Sequence, residues 1–286
     1  TVAKKGNEHT GWKKIQKSRF FFGGLLAVSL IFTLAYYIRQ ERAEAMYREL
    51  KLGQDEAAVL GGISLAALQP QALEEEPEPA MSGETVEADT PPHLENTIDF
   101  TKLWERNEDI YAWIAIPGTQ VDYPVLQHPA DDAYYLNHTL EGMSGLPGSI
   151  YSEKVHPKDF SAAQTVLYGH NMKNGTMFGS LHEYEDAAFF KEYPYVYIHL
   201  PERTLVYQIF AAVQFSNAYL PIYRNYEEEA GFTAYVEELK SAPGQADREI
   251  KVPYGSRLLT LSTCIGNDAD HRFLVAAVQV EEYERK

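Results

Sequence analysis

The sequence predicts a mainly β domain, a sheet closed into a barrel or sandwich with added helices. An apolar N-terminal helix and a disordered linker precede it. From Ala112 onward the chain is built of short runs rich in β-branched and aromatic residues, punctuated by Pro, Gly, Asn and Asp. Residues Phe20 to Ile38 carry no charge. Residues Gln69 to Glu95 are rich in proline and acid and contain no Lys or Arg.

The first element is the apolar run. As a helix, residues 20–38 would reach roughly 28 Å at ~1.5 Å per residue, close to the hydrocarbon thickness of a bilayer. Tyr36 and Tyr37 stand at one end, where aromatic rings favour the interface. Lys4, Lys5, Lys13, Lys14, Lys17 and Arg19 precede the run and are opposed only by Glu8. The positive-inside rule then expects residues 1–19 as a cytoplasmic tail, residues 20–38 as an anchor and the rest outside. The alternative is a cleavable signal peptide cut near Ala43-Glu44-Ala45, but its apolar stretch would be long and Arg39 and Arg42 would intervene.

Residues 39–95 follow as a polar helix and then a linker. In the linker, Pro70, Pro77, Pro79, Pro91 and Pro92 alternate with Glu74, Glu75, Glu76, Glu78, Glu84, Glu87 and Asp89. Such a stretch has too little apolar surface to offset chain entropy and repels itself into an extended form. The domain is expected from Asn96 to residue 286, opening with a short helix through Leu103 and Trp104 capped by Asn96 or Thr97. The expected strands are 113–116, 121–126, 149–151, 165–168, 195–200, 204–215, 258–262 and 273–280. One helix interrupts them, Glu227 to Leu239, with Phe232, Tyr235, Val236 and Leu239 on one face.

The formal net charge of −16 excludes a general nucleic-acid binder, which needs a basic face. One cysteine, Cys264, excludes an internal disulfide and leaves a free reactive thiol, an intermolecular link or a small buried hydrophobe. Cys264 ends the apolar run 258–263, and after a polar turn Arg272 opens the next strand. A hairpin would set the two near each other, with His271 facing away. A guanidinium there favours the thiolate and can donate to an oxyanion. His170 follows Gly169 at another strand end, at a rim where acid/base groups commonly sit. Asp268 and Asp270 are too few for a calcium site and read as a solvated turn.

The run Thr260-Leu261-Ser262-Thr263-Cys264, with Arg272 beyond it, resembles the T-L-x-T-C signature of the sortase family. Leu167-Tyr168-Gly169-His170-Asn171-Met172 resembles the histidine segment of its class B. The likeness continues through residues 113–119, 121–125, 134–136, 148–151 and 174–178, and covers roughly Phe100 to Tyr283. It implies a twisted eight-stranded β-barrel with added helices, one of them between the sixth and seventh strands. It also implies a cysteine transpeptidase. Cys264 would attack a threonine carbonyl in the C-terminal sorting motif of a secreted protein, and a peptidoglycan precursor amine would resolve the thioacyl intermediate. His170 would serve as acid and base and Arg272 as oxyanion donor. Asp132, Leu136, Tyr168, Ser262, Ile222 and Tyr223 would contact substrate.

The resemblance implies no cofactor and no metal. The implied place is the cell membrane of a Gram-positive type envelope, with the N-terminus in the cytoplasm. Two other readings stay open on the sequence: a membrane-tethered binding module with an inert Cys264, and another cysteine peptidase or L,D-transpeptidase.

Overall fold

A computed structural model describes residues 28–51 and 91–285. The basic tail, the start of the apolar run and the acidic stretch up to residue 90 lie outside the described residues. The chain divides into two units between Met46 and Tyr47. Residues 28–51 are helical (α1). Along the part of α1 that continues the apolar run, large side chains stand exposed, Phe32 at 72% and Ile31 at 66%. Among the described residues no helix is long and apolar enough to cross a membrane.

The second unit is a barrel. Its strands are β1 (Ile110–Ala115), β2 (Asp122–Leu126), β3 (Ile150–Tyr151), β4 (Gln164–Tyr168), β5 (Tyr195–His199), β6 (Arg203–Ser216), β7 (Gly244–Ala246), β8 (Leu258–Ile265) and β9 (Asp268–Glu284). They are ordered β5-β1-β2-β3-β4-β8-β9-β6-β7, and a further β5–β6 pairing closes eight of them on themselves. Closure leaves those eight without a free edge along the ring. The ninth, β7, pairs only with Ala211–Val213 of β6. It is Gly-Gln-Ala, a run with no apolar alternation, so the sequence carries no periodic sign of it.

Helix α2 (Phe100–Arg106) is capped by Asp99, whose carboxylate accepts from the Lys102 amide at 3.2 Å. Neither expected cap, Asn96 or Thr97, takes that place; the Asn96 amide donates instead to the Leu200 carbonyl at 2.8 Å. The folded unit also reaches upstream of Asn96. The Tyr47 hydroxyl donates to the Gly148 carbonyl at 2.8 Å, and the Tyr197 hydroxyl to the Pro92 carbonyl at 2.7 Å. Leu94 is buried in the small core around Tyr197 and Val206.

After α3 (Ala187–Glu192), the barrel's main helix is α4 (Glu229–Ser241). Its buried residues are Phe232, Tyr235, Val236 and Leu239, the face read from the sequence. They pack on Val166, Phe210, Val213 and Leu274. Each such buried side chain contributes about 1.5–3 kcal/mol. At the centre of this contact Gln164 Nε2 donates to the Tyr235 hydroxyl at 3.0 Å and to Thr260 Oγ1 at 3.1 Å. Those three residues tie α4 to β4 and β8, the two strands that lead into the candidate site.

Candidate active site

β4 and β8 run parallel, and their last paired residues are Tyr168 and Ser262. Parallel neighbours lie about 4.8 Å apart and end at the same rim. Two residues beyond that pair stand His170 on one chain segment and Cys264 on the other. On its other side β8 pairs antiparallel with β9, and there Cys264 is opposite Arg272. The register thus brings thiol, imidazole and guanidinium to one place, and all three line one cleft of about 360 Å³. A one-residue slip of β9 would turn Arg272 to the other face.

The β8–β9 connection is tighter than the polar turn expected over residues 265–270. Ile265 already pairs with Asp268, after a bulge between Cys264 and Ile265. Gly266-Asn267 is left as the two-residue loop, with Gly266 at a φ of +49°, a conformation open to glycine without a Cβ clash. The Arg272 guanidinium donates to the His271 carbonyl at 2.8 Å and lies 3.4 Å from that of Ala269. His271 pairs instead with the Asp268 carboxylate at 2.9 Å.

Cys264 is solvent-exposed. His170 Nε2 lies 2.7 Å from the Leu136 backbone carbonyl. A carbonyl only accepts, so Nε2 carries the hydrogen and Nδ1 is the nitrogen available for proton exchange. Leu136 therefore holds the imidazole through its main chain while its residue also lines the cleft. Main-chain groups leave no trace in residue type, so nothing in the sequence marks this contact.

Of the other residues expected to meet substrate, Tyr168 and Ser262 line the cleft, with Tyr168 stacked on Tyr151 at 5.4 Å. Asp132 does not line it; its carboxylate accepts from the Lys154 amide at 2.8 Å. Ile222 and Tyr223 are not brought there either. Ile222 is 75% exposed and lines a separate cleft with Val155, while the Tyr223 ring packs on Phe215 and Tyr235. The wall beside Cys264 is formed earlier in the same segment, by residues 216–220. Tyr219 is exposed, and Glu153, which lines the same cleft, has its carboxyl raised above its ordinary range by burial. Glu153 was legible in principle: it follows Tyr151 by two residues and shares its side of the chain. Among the described residues no group of three His, Cys, Asp or Glu is placed to hold a metal.

The sortase-domain family model matches residues 114–280, more than half of the chain and every one of these site residues. The chain belongs to the sortase family. Its relatives include sortase B of Listeria monocytogenes, 32% identical over 162 residues, 57% of this chain. That match spans 65% of the Listeria protein, just under two thirds. Among solved structures, Clostridium perfringens sortase B superposes with a TM-score of 0.57 at 27% identity, covering 64% of this chain and all of that one. A Staphylococcus aureus sortase B–substrate complex superposes with a TM-score of 0.56 at 26% identity, covering 64% of this chain and 84% of that one. These relatives make it a class B type sortase, with its barrel as the family's.

Proposed function

We propose that this sortase is a membrane-anchored cysteine transpeptidase acting on the C-terminal sorting motif of secreted proteins. The observation that carries the reading is the register that opposes the chain's one thiol to Arg272, in a cleft shared with His170. In the proposed cycle His170 Nδ1 takes the Cys264 proton and the thiolate attacks the threonine carbonyl carbon. Arg272 donates to the resulting oxyanion. The C–N bond then breaks, and the departing amine takes the proton back from Nδ1. A peptidoglycan precursor amine attacks the thioester and gives a proton to Nδ1; the C–S bond breaks and the thiolate returns. Tyr168, Ser262 and Leu136 would line the path of the acyl peptide. The Staphylococcus aureus neighbour, a sortase B–substrate complex, supports a substrate-binding role for this fold.

Anchoring rests on separate support. The described end of the uncharged run is a helix whose apolar side chains face outward, which in water is unfavourable and in a bilayer is not. It would leave the catalytic domain outside the membrane of a Gram-positive type cell. The test of the enzymatic reading is mass spectrometry of full-length protein in detergent with candidate sorting peptides. A thioacyl adduct on Cys264 is expected, resolved by added amine, and Cys264→Ala should form none while unfolding at the same temperature. An adduct on the Cys264→Ala protein, or acyl transfer by it, would end the proposal.

A further inference from the structure

Backbone carbonyls two residues apart on a strand point to the same edge. On β8, the Ser262 carbonyl accepts from the Gly169 amide at 3.3 Å, on the side of β4. The Cys264 carbonyl therefore faces that side too, but β4 has ended at Tyr168 and offers no further rung. Two side chains stand in its place. Asn171 Nδ2 donates to the Cys264 carbonyl at 2.9 Å, and His182 Nε2 lies 3.1 Å from the same oxygen. Asn171 Nδ2 and His182 Nε2 are 3.0 Å apart, closing a triangle.

His182 is itself held on two sides. Its Nδ1 lies 2.6 Å from the Glu185 carboxylate, and its ring stacks on Phe273 at 4.7 Å and 20°. Phe273 is the cross-strand partner of Thr263. The carboxylate only accepts, so Nδ1 carries a hydrogen. In the neutral ring, Asn171 gives one hydrogen to Nε2 and the other to the carbonyl. In the charged ring, Nε2–H donates to the carbonyl directly. In both states the carbonyl keeps a donor. Asn171 also adjoins His170, so one contact joins the segment bearing the imidazole to the residue bearing the thiol.

We propose that Asn171 and His182 are positioning residues that clamp the Cys264 carbonyl in place of the missing strand and so fix the nucleophile relative to His170. The proposal rests on the transpeptidase reading for its effect on rate. Neither residue lines the cleft, so their loss should leave substrate binding alone and misplace the thiol. A displacement on the order of 1 Å in such a site costs about a hundredfold.

The chain's one cysteine makes the test direct, since [1-13C]cysteine labels a single carbonyl. In full-length protein, His182→Phe keeps the stack on Phe273 and removes the polar contacts; Asn171→Leu removes the amide donor. Asn171→Leu, which removes the donor present in both ring states, should move the labelled carbonyl resonance upfield, and His182→Phe, which loosens Asn171 but leaves its amide, should move it less; each should slow single-turnover acylation roughly ten- to hundredfold, with KM within about twofold. His182→Gln, which can place an amide donor where Nε2 stands, should restore both. An unmoved resonance, a shifted resonance with an unchanged acylation rate, or a loss confined to KM would overturn the proposal. If His182→Phe does not fold, Asn171→Leu and His182→Gln decide by the same readouts. Wild-type protein that forms no peptide adduct, yet whose resonance shifts in the variants, would sink the transpeptidase reading and leave the clamp standing.

Discussion

Cys264 and Arg272 face each other across the β8–β9 ladder and His170 follows the end of β4, whereas Tyr219 and Leu220 come from the loop between β6 and α4. Both sets line the same cleft. The first set forms its floor, and its positions follow from backbone registers in a closed barrel. The second set forms its wall, placed by the contacts of a loop residue: Asn217 Nδ2 donates to the Ala269 carbonyl at 2.8 Å and the Asn217 amide to the Asp270 carbonyl at 2.9 Å, both at the start of β9. A ladder is stiff and periodic, while a loop settles wherever its anchors pack. Changes to the floor should therefore be costly and chemical in kind, and changes to the wall smaller and confined to binding.

The sharpest probe of the floor is Arg272→Lys, which keeps the charge and loses the planar fork. Losing one preorganised oxyanion donor costs on the order of 2.7–4 kcal/mol, about a hundred- to thousandfold in rate. Single-turnover acylation should fall by that much with the fold intact. A loss nearer tenfold would mean that Arg272 acts by charge alone.

Acid should weaken the floor next. His156 is buried and its Nε2 lies 3.4 Å from the Val166 amide of β4. Burial lowers its pKa to about 4. The unfolded chain takes up that proton below about 6.5 and the folded chain does not. Stability from this group is thus complete above pH about 6.5 and is lost as pH falls to about 4, by roughly 3 kcal/mol at most. His199, lowered to about 3 by burial, adds in the same direction. In chemical denaturation across this range, His156→Gln should flatten the slope; an unaltered slope would mean that the acid response lies elsewhere.

On the wall, Tyr219→Ala should raise KM for a sorting peptide about tenfold, ~1.4 kcal/mol, with little change in the acylation rate at saturation. A change mainly in rate would show that the wall also orders the floor. Ile222→Ala should do least, within about twofold in any constant, because its side chain stands at 75% exposure outside the cleft. A KM effect equal to that of Tyr219→Ala would restore Ile222 to the substrate path and break the division drawn between loop positions.

The sequence by itself determined the eight closing strands, the face that α4 buries and the nearness of Cys264 to Arg272. These features are periodic or local: the last needs only one hairpin. Tertiary structure alone decided the rest. The parallel pairing of β4 with β8 joins segments 94 residues apart, as in the Thr263–Gly169 hydrogen bond, and it is this pairing that brings His170 to the thiol. The Leu136 carbonyl reaches His170 across 34 residues through main-chain atoms every residue shares. Asn171 and His182 acquire a partner only because β4 stops short of Cys264. Tyr219 and Ile222 lie three residues apart in one segment and both stand exposed, so which one faces the cleft is settled by packing and not by pattern. Periodicity reports which face of an element is buried; closure of the barrel decides what that face meets.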